Sequence, residues 1–148
     1  LEMEMDRARR FSKPLSVVAI DIDHFKQLND QHGHPTGDVA LRGVARTLAS
    51  GVRKLDTVGR MGGEEFVLLL PRADLHEATQ VCEKLKQLVS ESEFPGGRDQ
   101  PTGCNTISLG VTSLRADDDE QGESLIARAD RALYDAKRQG RNRVAPQV

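Results

Sequence analysis

The sequence has little cysteine, little net charge and no long apolar run, and each shortage excludes a class of protein. Its two cysteines, Cys82 and Cys104, lack Cys-x-x-Cys spacing, so they neither form a zinc site alone nor indicate a disulfide framework, and we expect both to be reduced. Because 21 basic and 23 acidic side chains leave a formal net charge of -2, no general positive field favours nucleic acid. No run of 18 apolar residues occurs, and the first 15 residues contain no apolar run. The sequence therefore predicts neither a membrane span nor a signal peptide.

The chain has the size and composition of one folded domain. Its 148 residues, 37% hydrophobic and 30% charged, suffice for one core and are too few for a multidomain enzyme. The sequence begins at Leu1 rather than at a methionine. We therefore expect residues 1–148 to be a single domain taken from a longer protein.

Hydrophobic periodicity predicts strands that alternate with helices. Residues 15–20 form the continuous apolar run typical of a buried strand, which ends at Asp21. Gly62 and Gly63 separate two further apolar segments and predict a hairpin. The other predicted elements are a strand at 106–114, a short final strand, and helices at 1–12, 24–31, 38–50, 74–91 and 123–138. This order indicates an α/β sandwich, in which helices cover a central mixed β-sheet.

Three segments are expected to lie outside regular structure. Residues 33–37 contain two glycines and a proline, which predicts a break before the helix at 38–50. Val39 is expected to belong to the buried stripe of that helix. Residues 95–103 are interpreted as a polar loop, and the acidic run at 117–120 is interpreted as a solvated loop.

Two acidic clusters are the first candidates for chemistry. Asp21-x-Asp23 follows the predicted buried strand, and Glu64-Glu65 lies at the turn of the predicted hairpin. A solvated turn is the ordinary explanation of such a cluster. However, carboxylates brought together repel one another and raise one another's pKa unless a divalent cation neutralises them. Carboxylates are hard oxygen ligands, which favour magnesium or manganese over zinc.

The hairpin sequence Gly62-Gly63-Glu64-Glu65-Phe66 resembles the GGDEF signature of diguanylate cyclases, in its GGEEF form. The resemblance extends over essentially the whole chain. The matching segments are 21–26, Asn29-Asp30, Gly33-His34, Gly37-Asp38, 108–111, 134–137 and 140–142. Two departures are a methionine at position 61, where the family often has an aromatic residue, and the lack of the motif DxLTGLxNRR.

The resemblance implies a fold and an activity. The fold would be a mixed sheet surrounded by helices, with the GGEEF hairpin, similar to the palm of nucleotide cyclases and polymerases. The activity would be the condensation of two GTP molecules into cyclic di-GMP and two pyrophosphates, catalysed across a two-fold homodimer. The cofactor would be Mg²⁺ or Mn²⁺.

The resemblance also assigns site residues. Asp21, Glu64 and the main-chain carbonyl of Ile22 would bind the metal, and Glu64 and Glu65 would be catalytic. The residues expected to bind GTP are His24, Phe25, Lys26, Asn29, Asp38, Gly62, Gly63, Lys137 and Arg141.

The chemistry of these positions agrees with the assignment. Backbone N–H groups at a helix start suit phosphates, and glycines let the substrate approach the backbone. Asn29 and Asp38 could read the donors on the guanine edge, which adenine lacks. Local alternatives stay open: Asn29 and Asp38 as a helix terminus and an N-cap, Phe25 and Lys26 as core and surface residues, and Lys137 and Arg141 as solvated charges.

Arg53-Lys54-Leu55-Asp56 resembles the inhibitory RxxD site of the family at its usual distance before the hairpin. The resemblance implies that cyclic di-GMP binds there as product and inhibitor. An arginine can bond a phosphate or the Hoogsteen edge of guanine, and an aspartate can accept from guanine donors. An isolated RxxD is most often a surface ion pair, and that alternative stays open.

Two rival functions belong to other classes. A non-catalytic receptor domain for GTP or cyclic di-GMP would normally show a broken GGEEF motif or a lost Asp21, and neither is seen. A nucleotidyl transferase acting on nucleic acid needs a basic track that this balanced chain lacks, so we expect no nucleic-acid partner. The expected setting is an upstream sensor or regulatory domain in a full-length protein that is cytoplasmic, either free or anchored to a membrane.

Overall fold

A computed structural model describes residues 1–147, in which five strands form one mixed sheet. The order across the sheet is β2-β3-β1-β4-β5. The central strand β1 pairs antiparallel with β3 and β4, whereas β5 pairs parallel with β4. The strands are β1 (Leu15–Ile22), β2 (Thr57–Gly62), β3 (Glu65–Pro71), β4 (Ile107–Ser113) and β5 (Val144–Pro146).

Helices cover both faces of the sheet, as expected. They are α1 (Glu2–Phe11), α2 (Phe25–His32), α3 (His34–Ser50), α4 (Leu75–Glu91) and α5 (Glu123–Arg138), with a 3₁₀ turn at Gly97–Asp99. Alternate side chains of β1 face opposite sides of the sheet, and each side has its own hydrophobic core. Val18 and Ile20 pack with α2, α3 and α4, whereas Val17 and Ala19 pack with α1 and α5. None of the helices within residues 1–147 is long and apolar enough to cross a membrane.

Gly110 determines how closely α5 approaches the sheet. A Cβ at this position would lie 2.1 Å from the backbone N of Leu133 and 2.5 Å from the carbonyl O of Ala129. Only glycine therefore allows the backbone of α5 to pack directly on β4. This close packing fixes the end of α5 near the end of β1, where the acidic residues lie.

The structure corrects the predicted start of α3. The helix begins at His34, not at 38, because Pro35 occupies the first turn, where a missing N–H costs nothing. Asp38 therefore lies inside α3 and is not an N-cap, and Asn29 lies inside α2. Val39 is 40% exposed, and its neighbour Ala40 takes the buried position.

Two further predictions were wrong in detail. β1 continues through Ile22, so Asp21 lies within the strand, paired with Glu65 on one side and Ser108 on the other. The acidic run at 117–120 is not fully solvated, because the side chain of Asp118 is 3% exposed and pairs with Arg128.

Candidate functional site

The end of β1, the hairpin and the end of α5 enclose a cleft with a volume of about 230 Å³. The cleft brings together most of the residues that the sequence singled out. Its lining consists of Asp21, Ile22, Asp23, His24, Phe25, Lys26, Glu64, Lys137 and Arg141. Acidic and basic side chains from three distant segments thus face one small volume.

The hairpin is attached to β1 by backbone hydrogen bonds that position its acids. The N–H of Ile22 donates to the carbonyl of Glu64 at 3.2 Å, and Glu65 lies opposite Asp21 in the β1–β3 ladder. The guanidinium of Arg60 donates to the carbonyl of Gly63 at 2.9 and 3.2 Å and braces the turn. Glu64 lines the cleft, whereas Glu65 is exposed outside it.

The surroundings of Asp21 disfavour the charged form of its carboxyl group. Burial raises the pKa of its carboxyl, and the neighbouring Glu64 and Glu65 raise the pKa further, whereas Lys137 opposes the shift. The ammonium of Lys137 contacts Oδ2 of Asp21. Oδ1 is buried and accepts no hydrogen bond from residues 1–147. One oxygen of this carboxylate is therefore left without a positive or hydrogen-bonding partner.

This donor set fits a hard cation that keeps other ligands. Within residues 1–147, no cluster of three or more His, Cys, Asp or Glu side chains is arranged to hold a metal. Mg²⁺ is usually held by one or two carboxylates, together with waters and substrate phosphates. Asp21, with its unpartnered oxygen, Glu64 and the carbonyl of Ile22 are the residues that would hold it.

Asp23 has a structural role and is not left free to bind a ligand. Its carboxylate accepts hydrogen bonds from the hydroxyls of Thr106 at 2.7 Å and Ser108 at 2.6 Å, and from the N–H of Asn142 at 3.0 Å. Asp23 thereby ties β1 and β4 to the turn that carries Arg141. These three donors could not be found from the sequence, because they lie 83 or more residues away.

The N-terminus of α2 faces the cleft. His24 precedes the helix in a left-handed conformation, with φ 55°, and the first N–H groups of a helix have no intrahelical acceptor. Phe25 and Lys26 carry two of these N–H groups. Free amides beside Lys137 and Arg141 form a surface suited to a polyphosphate.

The hairpin glycines are not required by the protein itself. Neither Gly62 nor Gly63 has a positive φ, and a Cβ built on either would meet no described atom within 4 Å. Larger residues would fit the turn, and neither glycine belongs to the lining of the cleft. The expected contact of these glycines with GTP is therefore not explained by packing within the domain and stays a prediction.

Asn29 and Asp38 lie beyond the cleft, where α2 meets α3. Oδ1 of Asn29 is buried without a hydrogen-bond partner in residues 1–147, and Asp38 is exposed. A Cβ at Gly37 would lie 1.7 Å from Oδ1 of Asn29. Gly37 therefore lets the Asn29 amide approach α3, a contact that the sequence analysis missed.

The family model described as "Diguanylate cyclase, GGDEF domain" matches residues 1–143. The chain belongs to this family. Diguanylate cyclase DgcP of Pseudomonas aeruginosa is 40% identical over 144 residues, which are 97% of this GGDEF domain and 21% of that protein. The chain spans about a fifth to a third of the length of the curated relatives that it matches.

Solved GGDEF domains have the same fold and confirm the predicted architecture. The active GGEEF domain of a diguanylate cyclase from Vibrio cholerae is 36% identical, with a TM-score of 0.87 over 97% of this chain and 89% of that one. The GGDEF domain of DgcB from Caulobacter crescentus, in complex with c-di-GMP, is 32% identical. Its TM-score is 0.88 over 99% of this chain and 85% of that one.

The RxxD segment of this GGDEF domain lies outside the cleft, and its arginine and aspartate pair with each other. The guanidinium of Arg53 donates to both carboxylate oxygens of Asp56, at 2.8 and 3.1 Å, and to the carbonyl of Pro71 at 2.7 Å. The backbone N–H of Arg53 also donates to Asp56 at 2.7 Å. Arg53 is partly exposed, whereas the Asp56 side chain is buried. A ligand could reach the arginine directly, but it would have to open the pair to reach the aspartate.

Proposed function

We propose that this domain condenses two GTP molecules into cyclic di-GMP and two pyrophosphates. The observation that carries the proposal is the cleft, in which Asp21 and Glu64 face Lys137, Arg141 and the free amides of α2. A triphosphate next to a divalent cation satisfies both sets of charges. Membership of the diguanylate cyclase family supports this reading of the cleft.

The reaction is a pair of phosphoryl transfers. The 3′-hydroxyl oxygen of one GTP attacks the α-phosphorus of the other, a new P–O bond forms, and the bond to the bridging oxygen of the β-phosphate breaks. Pyrophosphate leaves with that electron pair, and the hydroxyl proton passes to a carboxylate or to water. The reciprocal attack closes the ring. No covalent enzyme intermediate is needed, because positioning and charge neutralisation account for most catalysis of this kind.

Residues of the cleft and of the neighbouring hairpin have separate tasks in this scheme. Lys137, Arg141 and the amides of Phe25 and Lys26 hold the triphosphate. A bound Mg²⁺ or Mn²⁺ would neutralise charge on the α-phosphate. Glu65, exposed opposite Asp21, is assigned to the incoming 3′-hydroxyl.

Selection of guanine is assigned to Asn29 and Asp38. The exposed carboxylate of Asp38 can accept from N1–H and the exocyclic amine of guanine. The Asn29 amide, whose Oδ1 is buried against Gly37, can contact the base once it turns outward. Adenine offers no such pair of donors on that edge. GTP should therefore be favoured over ATP.

The test is incubation of the domain with GTP and Mg²⁺, followed by chromatography and mass spectrometry of the product. Cyclic di-GMP and pyrophosphate are expected, and ATP should give no cyclic product. Binding of GTP without turnover would contradict the proposal and identify a receptor domain instead.

A single cleft holds one GTP, so the proposed reaction needs two domains facing each other across a two-fold axis. We predict that activity per mole of chain rises with protein concentration until the dimer is saturated. Initial rates from nanomolar to high micromolar chain, compared with the mass measured by light scattering, check this. Constant activity per chain with no dimer present would refute the two-domain reaction.

The RxxD pair is proposed as an inhibitory site for cyclic di-GMP. The complex of the related DgcB domain shows that a GGDEF domain can bind this nucleotide. Arg53 would provide the first contact because it is the exposed member of the pair. Asp56 would then accept from guanine once Arg53 turned toward the ligand.

We predict that Arg53→Ala weakens cyclic di-GMP binding and relieves product inhibition, while the initial rate is largely unchanged. A bidentate arginine contact to guanine contributes about 1–3 kcal/mol, which corresponds to roughly 5- to 150-fold in affinity. Calorimetry with cyclic di-GMP measures the effect. Lys54→Ala, which removes the same charge from the next exposed position, is the control. Equal affinity in Arg53→Ala and the unmodified domain would mean that Arg53 and Asp56 form only a surface ion pair.

The whole protein is proposed to be a longer, regulated, cytoplasmic enzyme. The chain covers 32% of PleD of Caulobacter vibrioides, a relative that is named a response regulator. A regulatory domain that brings two GGDEF domains together would control the concentration-dependent step.

A further inference from the structure

Lys137 and the expected metal need the same carboxylate. The ammonium of Lys137 contacts Oδ2 of Asp21, one of the three groups suited to hold a divalent cation. The Asp21 side chain is 8% exposed and the Lys137 side chain 31% exposed. Asp21 is thus fixed within β1, whereas the lysine extends from the last turn of α5 and can move toward solvent.

The pair relieves a repulsion that would otherwise be uncompensated. Burial and, to a smaller extent, the charges of Glu64 and Glu65 disfavour the charged form of Asp21, and Lys137 is the cation that opposes them. Oδ1 of Asp21 gains nothing from the pair, since it remains buried and unpartnered. The ammonium therefore leaves Oδ1 open to the metal, whose approach would bring two positive charges together on one carboxylate.

A divalent cation and the ammonium cannot both contact Asp21 without strong mutual repulsion. Like charges about 4 Å apart repel by several kcal/mol in partly buried surroundings. Ligation by the metal therefore favours departure of Lys137 from the carboxylate.

We propose that Lys137 takes the place of the cation in the metal-free domain, and that metal binding displaces it toward the triphosphate. This inference rests on the proposed function, because the triphosphate is the destination of the released ammonium. Lys137 would then lower metal affinity when nucleotide is absent and stop doing so once a triphosphate holds it. By linkage, metal would raise triphosphate affinity by the same factor.

The first test is calorimetric titration of the nucleotide-free domain with Mn²⁺. Lys137→Met removes the charge and keeps most of the side-chain length, and it should bind Mn²⁺ at least about fivefold more tightly than the unmodified domain, the lower end of typical coupling between sites. Arg141→Met is the matched control, since it removes one positive charge from the same cleft without removing the Asp21 pair. A similar gain in both variants, no gain in Lys137→Met, or no Mn²⁺ binding at all would overturn the inference.

The second test observes the lysine in a domain that retains it. Reductive ¹³C-methylation labels the lysines, and Lys137→Arg identifies the Lys137 signal by its loss. Saturating Mg²⁺ should shift this signal in the labelled domain. In Asp21→Asn the signal should already lie near its metal-bound position and should not respond. An unchanged Lys137 signal at saturating Mg²⁺ would refute displacement.

Neither measurement uses turnover. A domain that exchanges Lys137 for metal but produces no cyclic di-GMP would contradict the proposed function and support the exchange. A domain that turns over GTP without exchanging Lys137 for metal would support the proposed function and contradict the exchange.

Discussion

Asp21→Asn and Glu64→Gln are each expected to lower cyclic di-GMP synthesis at least about a hundredfold while the domain stays folded. Each change removes the charge of a proposed metal ligand from a site that has only two carboxylates in its lining besides the structural Asp23. Loss of groups that merely orient metal ligands already costs 10- to 100-fold. Initial rates at saturating GTP and Mg²⁺ measure the loss.

The fold should tolerate the change at Asp21 in particular. Because burial raises the pKa of this acid, its ionised form costs stability at neutral pH, and the cost disappears as pH falls through the raised pKa. Asparagine avoids the cost, and the partly exposed Lys137 can turn to water. Asp21→Asn should therefore melt at or above the temperature of the unmodified domain.

Asp6→Asn is the matched control, because Asp6 is an exposed acid on α1 and its loss changes the net charge equally. It should keep the unmodified rate. If Asp21→Asn and Glu64→Gln also keep that rate, the two acids are not the metal ligands.

Arg128→Met should be the most destabilising change outside the cleft. Arg128 and Asp118 have side chains only 6% and 3% exposed, and they pair with each other. Arg128 also donates to the hydroxyl of Thr112 and the carbonyl of Ser113. Removal of one member of a buried pair leaves an uncompensated charge, at a cost of about 3–5 kcal/mol. Urea unfolding at pH 7 measures the cost.

The pH dependence gives a second readout of this pair. Burial alone would raise the pKa of Asp118, but hydrogen bonds from the Arg115 N–H and the Ser124 hydroxyl, together with the charge of Arg128, hold it below the ordinary value. The stabilisation is therefore complete above the unfolded pKa and is lost as pH falls through the lowered folded pKa. Arg128→Met should lose less stability on acidification than the unmodified domain.

A double variant separates charge from packing. Asp118→Asn combined with Arg128→Met should recover part of the loss, because no buried charge remains unpaired. Arg131→Met, an exposed arginine of the same helix, should change stability by less than about 0.5 kcal/mol. A loss of similar size for Arg128→Met and Arg131→Met would mean that the buried pair does not stabilise the fold.

Hydrophobic periodicity was sufficient to predict those elements whose pattern lies within one continuous segment of the chain. The stripe of α4 and the apolar segments on either side of Gly62 and Gly63 predicted a helix and a hairpin that the structure confirms. Periodicity failed at α3, where Pro35 and Gly37 resemble breakers. Pro35 is harmless in a first turn, and Gly37 is needed against Asn29.

Contacts across the chain could not be predicted in the same way. Asp118 looked like one acid in a solvated run, because its partner lies on another element. One signal was present: Arg128 lies three residues after Leu125, on the apolar face of α5, where a charged residue requires a buried partner. The pairing of Lys137 with Asp21 had no local signal, because it depends on the packing of α5 over Gly110.

The hydrogen bond from Asn142 to Asp23 also has a consequence for protein synthesis. It joins residues 119 positions apart. The ribosome therefore synthesises one half of the cleft early in this domain and the other half late. A nascent chain that has been synthesised only through the GGEEF hairpin still lacks Lys137, Arg141 and the Asn142 N–H that donates to Asp23. Contacts of such long range form late in folding. An unfinished domain on the ribosome should therefore lack the assembled cleft, and with it the proposed binding of GTP, until Arg141 and Asn142 have emerged.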